Sequence, residues 1–222
     1  MCGRYSVLTE DEIIEIRSII HDISLRLVRD DLGNYNARSG EVYATGKAPV
    51  ITQANDGVAF EDVKFGFKKW DGKGVIINAR SETIKTTRMF SGLLNAGRCA
   101  VPAKEYYEWR ERDTEAGAKP KKPEKAKYYI KDTQGNLLFF AGLYRDGEDG
   151  REFVIITKDA FGDVADVHDR MPVILRTDQL EAWLSGKLSP DEIVRLEFNA
   201  AVRLCDELKG VKCENEEQLN LF

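Results

Sequence analysis

Cys2 stands directly after the initiator methionine, a place where packing has no use for a thiol. Methionine removal is favoured when the next side chain is small, and it would leave Cys2 as the N-terminal residue. Such a residue carries two nucleophiles on adjacent carbons, an α-amine of pKa about 7.7–8.0 and a thiol near about 8.5. The amine condenses with an aldehyde to an imine, and the thiol then closes on the same carbon to give a five-membered thiazolidine. The 1,2 arrangement makes the second step intramolecular. The plainer alternative is an incidental cysteine at a frayed chain end.

Three further stretches could do chemistry. In Ile76-Ile77-Asn78-Ala79-Arg80-Ser81-Glu82-Thr83 the polar residues alternate, and a period of two puts Asn78, Arg80 and Glu82 on one face. An amide, a guanidinium and a carboxylate together suit substrate positioning and phosphate contact; a solvated strand face reads the same way. Glu108 lies between Tyr107 and Trp109 in a strand-like run. Buried, it would have a raised pKa and serve as general acid and base near neutral pH; exposed, it would be an ordinary strand glutamate. His168, one of two histidines, stands among charges in Val167-His168-Asp169-Arg170-Met171-Pro172. It can exchange a proton with a reacting oxygen, or simply serve the structure. Cys2, Cys99, Cys205 and Cys213 form no C-x-x-C, and with only His21 and His168 beside them a structural zinc cluster is missing. No metal and no cofactor are expected. Cys99 is expected in the core.

The elements that must position these groups follow from composition and pattern. A chain of 222 residues, 42% hydrophobic and 32% charged, is long enough for a real core in one large domain or two small ones. With Lys+Arg 33 against Asp+Glu 38 the net charge is −5, which excludes a wholesale polycation but not a local nucleic-acid site. No apolar run approaches the roughly 18–20 residues of a membrane span, and no signal-peptide hydrophobic region follows Met1–Tyr5. A cytoplasmic protein without membrane partners is expected. Thr9-Glu10-Asp11-Glu12 predicts a capped helix start, with Ile13, Ile16 and Ile20 on one face. Strand-like runs span Pro49–Ala54, Val58–Phe67, Arg98–Ala103, Glu105–Trp109, Lys127–Lys131, Leu137–Tyr144, Phe153–Thr157 and Pro172–Leu175. Asn55-Asp56-Gly57 predicts a hairpin turn between two of them. So many short strands favour an α+β domain with a mostly antiparallel, barrel-like core flanked by helices. The last third reads as more helical, with Ser189-Pro190-Asp191-Glu192 as a second capped start. Residues 111–126 read as a polar Lys/Pro-rich insertion at a hairpin tip.

Met-Cys-Gly-Arg-Tyr at the start, Asn78 to Thr83, Arg88-Met89-Phe90, Pro102-Ala103 through Tyr107-Glu108-Trp109, Ala141-Gly142-Leu143, Ile155-Ile156-Thr157 and His168 to Pro172 resemble, in order, the SOS-response-associated peptidase (SRAP) family. The resemblance covers roughly residues 2–200 and implies one SRAP-like domain, placed at 2–210 and followed by an acidic flexible tail, 211–222. It implies an abasic-site processing protein: Met1 is removed, and Cys2 traps the open-chain aldehyde of an abasic site in single-stranded DNA as a thiazolidine crosslink that shields the lesion. Abasic-site lyase and crosslink-reversal activities are implied as well. Carried over by motif, Cys2 is the nucleophile, Asn78 holds its amine, Glu108 is the general acid/base and His168 assists sugar-ring opening. Arg4, Arg80 and Arg88 grip phosphates, Trp70 stacks on an exposed base or sugar, and Asn36 and Thr157 are further DNA contacts. The chain departs from the family at Arg38-Ser39, where Ala-Pro is usual before the glycine, and at Phe65-Gly66-Phe67, where the usual block begins with Trp.

Charge is unevenly spread: from Glu61 to Arg98 there are eight Lys or Arg against four acidic residues, a net of +4. Such a basic middle can follow a nucleic-acid strand, with binding that weakens steeply in salt. The C-terminal Gln218-Leu219-Asn220-Leu221-Phe222 resembles the Gln-Leu-x-Leu-Phe peptide with which bacterial replication and repair proteins dock on the sliding clamp. An acidic tether leading to Leu219, Leu221 and Phe222 fits an apolar pocket, and would bring the protein to the nucleoid and its replication forks. Two other readings stay open: a cysteine protease with Cys2, His168 and Glu108 as a triad-like set, and a clamp-tethered adaptor that binds single strands without chemistry.

Overall fold

The computed structural model describes residues 3–23, 25–33, 40–111 and 125–205. Cys2, Asn36, the clamp-like peptide 218–222 and residues 112–124 of the predicted insertion lie outside them. The chain opens with β1 (Arg4–Ser6), α1 (Glu10–Asp22), β2 (Leu27–Asp30), β3 (Glu41–Tyr43), β4 (Lys47–Ala54) and β5 (Gly57–Phe65). It continues through β6 (Phe67–Lys68), β7 (Val75–Ile76), β8 (Asn78–Arg80), α2 (Arg88–Ser91), α3 (Leu93–Ala96), β9 (Arg98–Ala103) and β10 (Glu105–Glu111). The remainder is β11 (Lys125–Asp132), β12 (Leu138–Gly147), β13 (Gly150–Asp159), β14 (Arg170–Pro172), β15 (Ile174–Leu175), α4 (Leu180–Leu184), α5 (Pro190–Val194) and β16 (Ala200–Cys205).

Five strands close on themselves. β5 pairs with β4, β4 with β9, β9 with β12 and β12 with β13, all antiparallel; β13 then returns to β5 in parallel register, Glu152 opposite Lys64 and Phe153 opposite Phe65. This is the barrel-like core that the strand pattern predicted. Both faces of the ring are apolar, so alternation separates two cores rather than a core from water. Val50, Val63, Phe65, Val101, Phe140, Phe153 and Ile155 point to one cluster, while Ile51, Phe60, Ala100, Phe139, Val154 and Ile156 point to the other. Helices cover the second cluster: Ile13, Ile16 and Ile20 of α1, and Leu180, Trp183 and Leu184 of α4. Each such fully buried side chain stabilises by roughly 1.5–3 kcal/mol. Helix α1 starts where its capping box puts it, Thr9 Oγ1 accepting the Glu12 N–H at 3.3 Å and Glu12 Oε2 accepting the Thr9 N–H at 2.8 Å. Trp183 satisfies its indole N–H on the Cys99 carbonyl at 2.9 Å.

A second sheet, in the order β16-β11-β10-β1-β3, lies against the first cluster. Tyr5 of β1 and Tyr106 of β10 each meet Phe140 edge-on at 5.8 Å. The chain's last third departs from its helical reading: α4 and α5 are five residues each, and Ala200–Cys205 forms an edge strand paired along β11. Ala200 and Val202 pack toward the barrel-side cluster, so burial on the sheet outweighs local helical preference. The ends of the predicted insertion are strand as well: β10 runs to Glu111 and β11 begins at Lys125, with Ala126 buried. Among the described residues no helix is long and apolar enough to cross a membrane.

Candidate active site

The site grows out of the β1–β10 pairing. Tyr5 is opposite Tyr106, and both side chains enter the barrel-side cluster. Two residues back from Tyr5 and two on from Tyr106, antiparallel register brings Gly3 level with Glu108, on that same inward face. Glu108 is 3% exposed. Burial pushes its carboxyl up from 4.5 to about 7. Glu105, three residues earlier and on the opposite face, is engaged elsewhere. Its Oε1 accepts the Tyr107 hydroxyl at 2.6 Å, and burial first, then that bond, pushes the phenol upward.

His168 brings Nε2 to 4.0 Å from Glu108 Oε2. The gap is too long for a direct hydrogen bond, and short enough for both groups to serve one reacting oxygen. Burial lowers the imidazole pKa from 6.5, so the ring is neutral at pH 7. Its Nδ1 accepts the Arg170 backbone N–H at 2.9 Å, and also lies 2.8 Å from Asp169 Oδ1. One nitrogen cannot accept from the first and donate to the second. The backbone donor is fixed, whereas the Asp169 side chain is 85% exposed and solvated, so Nδ1 is the acceptor and Nε2 carries the proton toward Glu108.

Arg170 holds this arrangement. Its guanidinium grips Glu82 as a fork, Nη1 to Oε1 at 2.6 Å and Nη2 to Oε2 at 3.0 Å, pairs with Asp159, and donates to the Thr157 carbonyl at 2.8 Å. That fork lowers the Glu82 pKa from its usual value. Thr157 of β13 pairs with Arg80 on one side and Pro172 on the other, so the Arg170 side chain ties the start of β14, two residues after His168, to the segment that follows Asn78. Asn78 lies half-buried opposite Ile155, its Nδ2 3.5 Å from the Ile155 carbonyl.

The other candidates are scattered by the fold. Arg80 and Arg88 are exposed, and Trp70 is 96% exposed at a hairpin tip. Arg4 lies on the outer face of the second sheet, opposite to Tyr5, its guanidinium 4.6 Å from the Tyr43 ring centroid and 4.9 Å from that of Trp109, and 3.5 Å from Glu41. Thr157 is 1% exposed, with its hydroxyl 3.4 Å from Arg170, so it is an interior residue rather than a surface contact. Arg98, part of the basic middle of the sequence, is also interior: it donates to the carbonyls of Leu94, Trp183 and Leu188 and stacks on Trp183. Arg170 has no role in the sequence reading although it sits in the motif. An arginine two residues after a histidine, with Glu82 distant in sequence, gives no sign that Arg170 and the turn bearing Glu82 will meet.

A closed five-strand barrel with a second sheet across it, and a buried glutamate 4.0 Å from a histidine at their junction, defines the class as an α+β domain with a β-barrel core. The chain belongs to the SOS response associated peptidase (SRAP) family, whose model matches residues 1–207. It is 26% identical over 210 residues to the abasic site processing protein YedK of Escherichia coli, covering 91% of this chain and 87% of that one. Against YoqW of Bacillus subtilis, also named an abasic site processing protein, identity is 31% over 217 residues, 88% and 86% of the two chains. A phage-related protein of Bordetella bronchiseptica superposes with a TM-score of 0.71 at 26% identity, over 92% of this chain and 94% of the other. A Bacteroides thetaiotaomicron protein shares the fold at 0.69 and 23% identity, over 94% of each.

Proposed function

We propose that this chain processes abasic sites in DNA, as its relatives YedK and YoqW are named for doing, and that it does so by covalent capture through Cys2 in single-stranded DNA. The observation that carries the reading is Glu108: buried, with a carboxyl near pH 7, 4.0 Å from a neutral imidazole and level with Gly3. Cys2 is the covalent neighbour of Gly3, and its amine and thiol are the groups this reading assigns to work with the pair.

Water cleaves the Met1–Cys2 peptide bond with Glu108 as base, freeing the amine. His168 and Glu108 exchange protons with the sugar oxygens and favour the open-chain aldehyde. The amine adds to the carbonyl carbon, and Glu108 protonates the departing hydroxyl, which leaves as water and gives the imine. The thiolate then adds to the imine carbon, the nitrogen takes up a proton, and the thiazolidine is complete. The same acid/base pair would serve strand incision and reversal of the crosslink. Arg80, Arg88 and Trp70 are the exposed groups suited to hold phosphates and a base; Asn78 is suited to hold the Cys2 amine. The C-terminal peptide would dock on the sliding clamp and deliver the protein to replication forks.

Intact-mass measurement tests this directly. After incubation with a single-stranded oligonucleotide bearing one abasic site, protein lacking Met1 should gain the mass of the oligonucleotide less one water. Cys2→Ala should gain nothing. Peptide turnover without an adduct would instead indicate a cysteine protease acting on other proteins, and salt-sensitive binding with neither would indicate a non-catalytic adaptor.

A further inference from the structure

Trp70 is carried by a hairpin with very little support of its own. The ladder of β6 and β7 has two pairs, Phe67 opposite Ile76 and Lys68 opposite Val75, and an isolated two-stranded hairpin is at best marginally stable in water. It leaves the barrel at Gly66, whose φ of +106° strains any side chain and where a Cβ would come within 2.8 Å of Val75 Cγ2. Past the hairpin the chain runs through Ile77 straight into Asn78.

One partly buried ion pair holds the backbone at the base of this hairpin, while the Lys68 side chain makes a second, exposed pair with Glu148 at 3.0 Å. Glu152 Oε2 accepts the Lys68 backbone N–H at 3.1 Å, and Arg145 Nη2 donates to the Lys68 carbonyl at 2.8 Å. The two side chains are bonded to one another, Arg145 Nε and Nη2 reaching Glu152 Oε2 at 3.1 and 2.9 Å. Glu152 is 4% exposed in its side chain, and the Arg145 guanidinium stacks 4.4 Å from the Phe67 ring centroid. Both backbone groups of one residue are therefore held from β12 and β13, strands of the closed ring. Trp70, two residues on, lines a cleft of about 600 Å³ together with Met89 and Arg145.

We infer that Arg145 and Glu152 are positioning residues that set the Trp70 hairpin for its contact with single-stranded DNA, an inference that rests on the function proposed above. They act through the Lys68 backbone and not by touching the strand.

A double-mutant cycle on undamaged single-stranded DNA, which offers no aldehyde, isolates the binding step. Trp70→Ala should weaken binding about fivefold to a hundredfold, the span of one base stacked on an aromatic ring. Arg145→Gln should lose most of the same factor. In the Trp70→Ala background Arg145→Gln should change nothing, and Arg145→Lys, which keeps the charge but not the fork, should recover part of the loss. Amide exchange supplies the independent arm: in Arg145→Gln the amides of Lys68 and Lys69 should exchange faster while that of Ile155, bonded to Ile77, keeps its protection. Additive losses in the cycle, or unchanged exchange at Lys68 and Lys69, would overturn the inference. If Arg145→Gln loosens Ile155 too, the cycle is decided with Arg145→Lys. Failure of the unsubstituted chain to bind single-stranded DNA would overturn the functional reading, and the exchange arm alone would then decide whether the ion pair holds the hairpin.

Discussion

Replacing Glu108 by Gln should stabilise the fold, and by an amount that depends on pH in a defined way. The buried carboxyl titrates at about 7 in place of 4.5. Below pH 4.5 the group is protonated whether the chain is folded or not, and its stabilising effect is fully present. Between 4.5 and 7 the folded state holds a proton that the unfolded state has released, so stability falls as pH rises. Above 7 both states are ionised and the loss is complete. Each pH unit in that interval is worth about 1.36 kcal/mol, and the whole interval amounts to roughly 3 kcal/mol. Glutamine keeps the shape and cannot ionise. The stability difference between Glu108→Gln and the unsubstituted chain should therefore be small near pH 4, widen through pH 6, and level off above about 7.5 with the variant ahead by roughly 3 kcal/mol. For a chain of this size that is roughly 6–12 °C in Tm. Urea unfolding at a series of pH values from 4 to 8 measures it, and groups unaffected by the substitution cancel in the difference. A difference that stays flat with pH would mean Glu108 ionises as an ordinary surface carboxylate, and the acid/base role assigned to it would fall with that result.

Arg80→Gln and Arg88→Gln remove exposed charges, so each should flatten the plot of log K against log salt for single-stranded DNA by about 0.7 while moving the urea midpoint by less than about 0.5 kcal/mol; an unchanged slope would remove that residue from the strand's path. Deleting residues 218–222 should abolish retention on an immobilised bacterial sliding clamp and leave the crosslinking yield intact, and retention by the truncated chain would refute the tail's assignment.

Local rules carried the sequence reading where the physics is local. The capping boxes at Thr9 and Ser189 start α1 and α5, because a hydroxyl and a carboxylate three residues apart satisfy each other's backbone donors wherever they occur. Alternating or continuous apolar runs marked most barrel strands, and Asn55-Asp56 turned the chain between β4 and β5. Three-residue strands such as β1, β3 and β14 left no pattern, since pairing partners distant in the chain create them. The helical reading of the last third missed β16 for the same reason: its support is the edge of β11.

The candidate groups themselves were written in the residue types: a cysteine next to Met1, a glutamate flanked by aromatics, a histidine ahead of a strand. Residue type and spacing are local properties, and they suffice to say what chemistry each group can do alone. The tertiary structure decided which groups share a site. Closure of β13 onto β5 and the register of β1 on β10 set Glu108 beside His168, level with Gly3, and turned Glu105 to the other face. Burial then moved two proton affinities toward one another, and the fold took inside both Thr157, expected as a DNA contact, and Arg98, counted in the basic middle. Desolvation and register depend on which strands meet across a hundred residues of chain, and no window of sequence contains that information.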